Sequence, residues 1–482
     1  MRRSRMLRSG IIAAIVALPA IPALTAQYAF SDDYAFLGYE QSAGDLVRQV
    51  AGRDQRPLAG IFCVIGRQLV GTIDGLGWVR LVGLGGAIAL ALATAAAARS
   101  AGFSERFALT LALAVGLLPS VQLYAAWATL APCGWVSAAA MLASQRLVRS
   151  DAALSLARRL RVGALLLVTA LTYQPAVGFF VVGLVLALLS PQPRFEPRRL
   201  LERHASALAI TAGGVFVWIV IARLTFNDGY RTTFAQRPGR KLSWFSTEVL
   251  NNATNTFDIT PSHFVEAVVV AVIALMIILV TQRRTREHGI PQGILVAAVL
   301  ALSLPVTYAP NLIVDETWAA YRTLAALSAL VLVFVLVAAR ELAQLVATRA
   351  ARPNARRRLD VAWSVAIAIG IVTAGGVVAA TMHRELVQPQ TKELADFRAA
   401  LRATYADSPA TVAVRQLAEP PTPPARYDEF GVPSLAKEWV PVGFAHAVYR
   451  ADGRDPNAQH VVRVAPGAAP PPGATVIEIA PR

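Results

Sequence analysis

Long uncharged apolar runs recur along this chain, separated by short loops that carry arginine. A run of about twenty such residues is long enough to cross a bilayer as a helix. Backbone in hydrocarbon has to satisfy its own hydrogen bonds, so helices are the economical reading of these runs. Only 16% of residues are charged and 55% are hydrophobic, where a soluble domain carries nearer ~25% charged. The net charge of +16 does not point to nucleic acid, because the arginines sit in short loops and report topology. No nucleic-acid partner is expected; the lipid bilayer is. Two cysteines without a CxxC pattern and six scattered histidines give neither a disulfide framework nor a zinc site.

The first run, 11–30, follows a basic start with Arg2, Arg3, Arg5 and Arg8. It is too long for a cleaved signal core, and Leu24-Thr25-Ala26 is a poor cleavage site. The reading is an uncleaved first helix with its N-terminus inside. Residues 31–77 then form an outer segment, in which the apolar stretch 59–70, interrupted by Arg67, is too short to span and fits a helix lying in the interface. Further spans fall near 78–98, 107–124 and 133–148.

The segment 162–189 has Tyr173-Gln174-Pro175 at its middle. One helix through it would place Arg194, Arg198, Arg199 and Arg203 outside, against the positive-inside bias. Proline disfavours helix at the residue before it, so two short helices meeting near Tyr173 are expected, with one kinked helix as the alternative. Spans near 206–222, 264–280, 291–308, 323–339 and 361–381 complete the set, with an outer loop over 226–262. The expected fold is a polytopic α-helical membrane protein of about eleven membrane helices, N-terminus in and C-terminus out. Residues 1–382 form the membrane domain. Residues 383–482 form a small extracytoplasmic α/β tail: a helix at 392–405, where Leu394, Phe397 and Leu401 keep helical spacing, a strand at 411–417, a helix at 435–449, and strands at 461–464 and 474–479. No catalytic motif stands out in this tail.

The interiors of the spans are almost free of charge, whereas a proton-coupled transporter keeps acids near mid-membrane. The ionisable groups gather instead at the outer mouth: Asp32, Asp33, Arg56, Arg67, Arg80, Arg223, Asp315, Glu316 and Arg322, with Glu266 about one turn inside. Asp32 and Asp33 directly follow the first apolar run. Solvated acids ending an anchor helix are the plain reading of that pair, and snorkelling to headgroups is the plain reading of any one arginine. As a set on one face they suggest an anionic ligand, since arginine forms forked, phosphate-shaped hydrogen bonds.

An N-in first helix followed by Asp32-Asp33, with interface helices that include Arg56-Pro57-Leu58, resembles the GT-C superfamily of membrane glycosyltransferases. Tyr173-Gln174-Pro175 in a broken apolar segment, Asp315-Glu316, and Tyr321-Arg322 opening a late span are similar to GtrII-type glucosyltransferases of O-antigen modification. The resemblance covers roughly residues 1–340; in the tail only the stretch from Arg426 to Gly431 is suggestive. It implies transfer of a sugar, glucose in the GtrII type, from a polyprenyl-phosphate donor to a glycan acceptor such as O-antigen or another envelope polysaccharide. The place would be the outer face of the cytoplasmic (inner) membrane. Asp32 or Asp33 would be the base of an inverting reaction. The other would orient it, bind the acceptor, or hold a divalent cation (Mg or Mn). Arg322, then Arg56 and Arg80, would bind the donor phosphate. Tyr173, Gln174, Asp315 and Glu316 would line the cavity and touch sugar; for Tyr173 and Gln174 a buried, hydrogen-bonded helix break is an equal reading. A lipid-linked sugar transporter or flippase, and a surface-polysaccharide polymerase or ligase, are the rival readings.

Overall fold

The structure, a computed structural model, describes residues 2–38, 42–149, 155–192, 196–226, 233–257, 263–349, 353–405, 410–418 and 429–479. Among them seven helices are long and apolar enough to cross a membrane: Met6–Thr25, Ile73–Ser100, Pro197–Phe226, His263–His288, Ile290–Thr307, Tyr321–Val346 and Val365–Ala403. The pair Glu105–Gly116 and Pro119–Ala126, bent by 58°, makes an eighth if it counts as one span. This is the build of a multi-pass membrane protein. The other three expected spans are present as shorter or less apolar helices, Ala131–Val148, Leu156–Thr172 and Gly178–Leu188. Tyr321–Val346 runs through the middle of the bundle, while Pro197–Phe226 and His263–His288 leave most of their apolar surface uncovered, the surface that lipid would meet.

Proline places the breaks. Helix Leu156–Thr172 stops at Tyr173, which is extended (φ −158°, ψ 101°), and the chain re-enters helix through the turn Gln174–Val177. The same steric clash acts at Leu118 (φ −57°, ψ 129°), directly before Pro119. The single helix expected over 107–124 is therefore two. The first run also ends early. Helix Arg2–Ala17 passes through the turn Leu18–Ala20 into Ile21–Thr25, and Ala26 is already extended (φ −82°, ψ 141°). Asp32 and Asp33 thus do not end the first helix, as expected from sequence. They open a helix of their own, Asp32–Gly38, after a non-helical connector.

The segment after Asp32–Gly38 forms two short helices. Ala43–Gly52 starts at Ser42, whose hydroxyl accepts the Asp45 N–H, and Pro57–Val70 stops at Gly71 with φ 67°. The expected interface helix is the second. Its Ile61, Ile65 and Leu69 are exposed at four-residue spacing on one face, as a helix lying against lipid needs.

Close backbone packing fixes the floor of this region. A Cβ on Gly83 would stand 1.9 Å from the Tyr124 carbonyl oxygen, and one on Gly134 would stand 2.5 Å from the Gly86 carbonyl carbon. Small residues let the helices on either side of Trp127–Leu130 press against helix Leu76–Ser100.

The last span continues through a π-turn, Met382–Val387, into helix Gln388–Ala403. Three parallel strands follow, β1 (Thr411–Arg415), β2 (His460–Val464) and β3 (Thr475–Ile477), in the order β2-β1-β3. Parallel pairing demands a crossover, and helix Val440–Ala451 supplies one between β1 and β2. Expected as an appendage, the tail is packed onto the membrane domain. Tyr34, Phe36 and Leu37 of the acid helix share one buried cluster with Phe397, Val412, Val414 and Phe444. Tyr34 stacks on Phe444 at 3.9 Å, and Phe444 on Phe397 at 4.3 Å.

Candidate active site around the acid pair and two arginines

The two aspartates have different surroundings. Asp33 is fully buried. Its Oδ2 accepts the Phe30 N–H at 3.2 Å and its Oδ1 accepts the Thr129 N–H at 3.0 Å. Burial pushes its carboxyl up to about 6, against the pull of nearby Arg80 and the two amide hydrogen bonds. Asp32 remains partly exposed, and its Oδ1 accepts the Trp439 indole N–H at 3.1 Å. Ser31 between them and the connector has φ 44°, an uncommon conformation for a residue with a side chain, and its N–H donates to Ser434 Oγ at 2.9 Å. Strained backbone beside two acids is the kind of observation that marks a functional site.

Arg80 is buried and faces backbone. It donates to the carbonyls of Ala23 (3.2 Å), Ala26 (3.3 Å) and Tyr28, and its guanidinium lies 3.6 Å from the Tyr28 ring centre. These carbonyls have no helical partner because the first helix has ended, so Arg80 closes that end and sets a positive charge near Asp33.

Arg56 meets the helix break. Its Nε donates to Gln174 Oε1 at 2.8 Å, its guanidinium stands 5.0 Å over Tyr173, and Gln174 Nε2 donates to the Gln55 carbonyl at 3.0 Å. Arg56, Tyr173 and Gln174 are thus one cluster, joining the interface segment to the break.

Arg322 lies between two indoles, 4.4 Å from the centres of both Trp127 and Trp318. A buried carboxylate from the tail, Glu429, accepts the Tyr321 N–H (3.1 Å), the Arg322 N–H (3.3 Å) and an Arg322 guanidinium N–H (3.4 Å). Glu429 so caps the start of the central helix, where a negative charge is favourable.

Trp127 and Thr129 tie the two ends together. Trp127 stacks on Arg322 and meets Phe30 edge-on at 4.6 Å, while the Thr129 amide holds Asp33. Three residues of chain thus carry the acid on one side and the cation on the other. Burial, and then the charges of Asp32, Asp33 and Asp54, push the thiol of Cys63 on the interface helix up to about 12. Tyr173, under Arg56, meets Tyr124 edge-on at 6.5 Å, three residues before Trp127. The acid pair and the two aromatic-clamped arginines are thus linked through one short stretch of chain, Tyr124–Thr129.

Asp315 and Glu316 follow a bridge between Phe234 and Val314, where the Asp315 N–H donates to the Thr233 carbonyl at 2.8 Å, and they precede Trp318, which covers Arg322. Lys241 donates to the Glu316 carbonyl and lies near both acids. Arg223 is exposed near the end of its helix, and Glu266 accepts from Asn251. Asp33 uses both oxygens on amides beside Arg80, and no group of three metal-ligating side chains exists among the described residues. No step is routed through a divalent cation.

Sequence reasoning missed Trp127 and Thr129, which lie in an uncharged loop, and Glu429 and Trp439 in the tail. The only signal was a tryptophan in a loop facing the acid pair and the acidic-aromatic stretch ending at Gly431.

No protein-family model matches the chain, and no curated protein sequence matches it. Among solved structures it is similar to the Archaeoglobus fulgidus oligosaccharyltransferase complex with Zn and sulfate. That likeness has 11% identity and a TM-score of 0.45, covering 95% of this chain and 62% of that one. The archaeal oligosaccharyltransferase AglB of the same organism, in complex with an inhibitory peptide and a dolichol-phosphate, gives 11% identity and a TM-score of 0.42 over 92% and 64%. The form tethered with an acceptor peptide gives 12% and 0.43 over 85% and 61%. This chain thus spans less than two thirds of the length of those proteins. At these TM-scores the likeness carries no weight for fold or activity.

Proposed function

We propose that this chain is a GT-C-like membrane glycosyltransferase that moves a sugar from a polyprenyl-phosphate donor to a glycan acceptor. One observation carries the reading: the Trp127–Thr129 segment holds Asp33, the neighbour of the accessible Asp32, through its Thr129 amide, and Arg322 through its Trp127 ring. Sugar transfer needs a base on the acceptor hydroxyl and positive charge on the departing phosphate. Asp32 has the exposure for the first role. Asp33, enclosed and held by two amides, positions the turn that presents Asp32. Asp32 takes the acceptor proton, the acceptor oxygen bonds to the anomeric carbon from the face opposite the phosphate, and the anomeric carbon–oxygen bond breaks. The electron pair leaves on the polyprenyl phosphate, where Arg322 and Arg56 meet the charge. The product is inverted. A GtrII-like glucose donor, an O-antigen or other envelope acceptor, and the outer face of the cytoplasmic membrane are the finer form of this proposal.

The test is transfer of sugar from a polyprenyl-phosphate donor in membranes, normalised to protein. Asp32→Asn keeps shape and removes the charge, and activity falls on the order of 10²–10⁴-fold if Asp32 is the base. Wild-type activity in that variant removes the base from this position. Movement of intact lipid-linked sugar across proteoliposomes, without transfer, would replace the enzyme reading by the flippase one.

A further inference from the structure

Among the buried side-chain polar atoms that have no hydrogen-bond partner in the described chain, two belong to rings that lie under the site's arginines. Trp127 and Tyr173 are each 1% exposed. The Trp127 indole N–H and the Tyr173 hydroxyl have no hydrogen-bond partner among the described residues. An indole N–H can only donate. Leaving such a group dry costs roughly 1–3 kcal/mol, and native proteins seldom retain one without cause. Each of the two rings is also covered by one of the two site arginines, Trp127 by Arg322 and Tyr173 by Arg56. The arrangement thus repeats: an arginine over an aromatic ring whose polar atom has no partner among the described residues. Tyr173 meets Tyr124 edge-on at 6.5 Å, three residues before Trp127, which brings the two units side by side.

We infer that the Trp127 indole N–H and the Tyr173 hydroxyl are neutral donors to the phosphate of the lipid-linked substrate, completing a cradle whose cations are Arg56 and Arg322. A group that accepts from two cations and two neutral donors is an acceptor-only anion, and a phosphate has the oxygens to serve all four. The arginines are held on ring faces and supply charge. The neutral donors fix where each oxygen sits. This rests on the donor-phosphate reading of the preceding subsection.

Trp127→Phe and Tyr173→Phe remove the donors and keep a ring under each arginine. The full chain, purified in detergent, is titrated with polyprenyl phosphate lacking sugar, and separately with inorganic phosphate. Wild type binds the lipid phosphate, and each variant binds it about tenfold more weakly, the effect of losing one hydrogen bond to a charged group. Inorganic phosphate competes with the lipid for wild type and competes less well in both variants. Thermal stability of the variants stays level or rises, since each loses an unsatisfied buried polar atom; a structural role predicts a fall with unchanged binding. Wild-type affinity in both variants overturns the inference and leaves the donor reading standing. No binding of either phosphate by wild type overturns the donor reading itself, and the inference with it.

Discussion

Replacing Glu429 by alanine measures whether the tail is part of the membrane domain's energetics. Its carboxylate is 2% exposed and accepts three hydrogen bonds at the start of the central helix, from two backbone amides and the Arg322 guanidinium. The variant leaves a nearly buried cation and two amides without their acceptor. The shortest contact, at 3.1 Å to a charged acceptor, carries ~1.5–3 kcal/mol, and the two longer ones add less. Breaking a buried ion pair from one side costs about 3–5 kcal/mol in total, which brackets the same sum. Unfolding entropy near ~2.1 cal/mol/K per residue over 482 residues is roughly 1 kcal/mol/K, so the melting midpoint of Glu429→Ala falls by ~3–5 °C. The chain carries its own reporters. Cys133 is buried and Cys63 partly so, both are free thiols, and a thiol-reactive dye reads their exposure during heating of the solubilised protein. Glu429→Gln, which keeps an acceptor but not the charge, falls by less. A Glu429→Ala protein that melts with wild type refutes the docking of the tail on the helix start.

Two further outcomes follow from the same geometry. Asp33, raised to about 6 from 3.8, favours its proton in the folded state, so its contribution to stability is full below 3.8 and is lost as pH rises through about 6. Between pH 7 and 5, therefore, the stability contribution from Asp33 grows. Asp33→Asn flattens the stability difference, and a variant with the wild-type pH profile of stability contradicts the assignment. Alkaline phosphatase fused after Arg482 is active if the tail, and with it the acid pair it contacts, faces the outside; a fusion that works only as a cytoplasmic reporter inverts the site.

Local rules made much of this legible in the sequence. Pro175 announced the break at Tyr173, and the short apolar stretch 59–70, interrupted by Arg67, announced a separate short helix. In the tail the helix at 392–405, the strand near 411–417, the helix at 435–449 and the strands near 461–464 and 474–479 all appear, because each has its own periodicity. The bend at Leu118 was equally local and was missed, since a long apolar run hides one proline. Other features carry no local mark. Arg80 looks like a cation at an outer rim until the first helix is seen to stop at Thr25, leaving carbonyls for it to hold. The grip of Glu429 on Tyr321 and Arg322 spans more than a hundred residues, and no periodicity encodes it. The same is true of the roles of Trp127 and Thr129, which depend on where a turn is pinned by glycine packing two helices away.

The docking of the tail on the acid helix also sets a clock. Ser31 meets Ser434, and Asp32 meets Trp439, 403 and 407 residues further along the chain. At ~5–20 residues per second, a ribosome makes the later partners some 20–80 s after the earlier ones. Through that interval Tyr34, Phe36 and Leu37 have no Phe397 or Phe444 to cover them, and Asp32 has no indole to hold it. A half-made chain thus lacks the indole that holds Asp32 and the carboxylate that caps the Tyr321 and Arg322 amides. Closure of the tail thus comes late, and it orders Asp32 and the start of the central helix together.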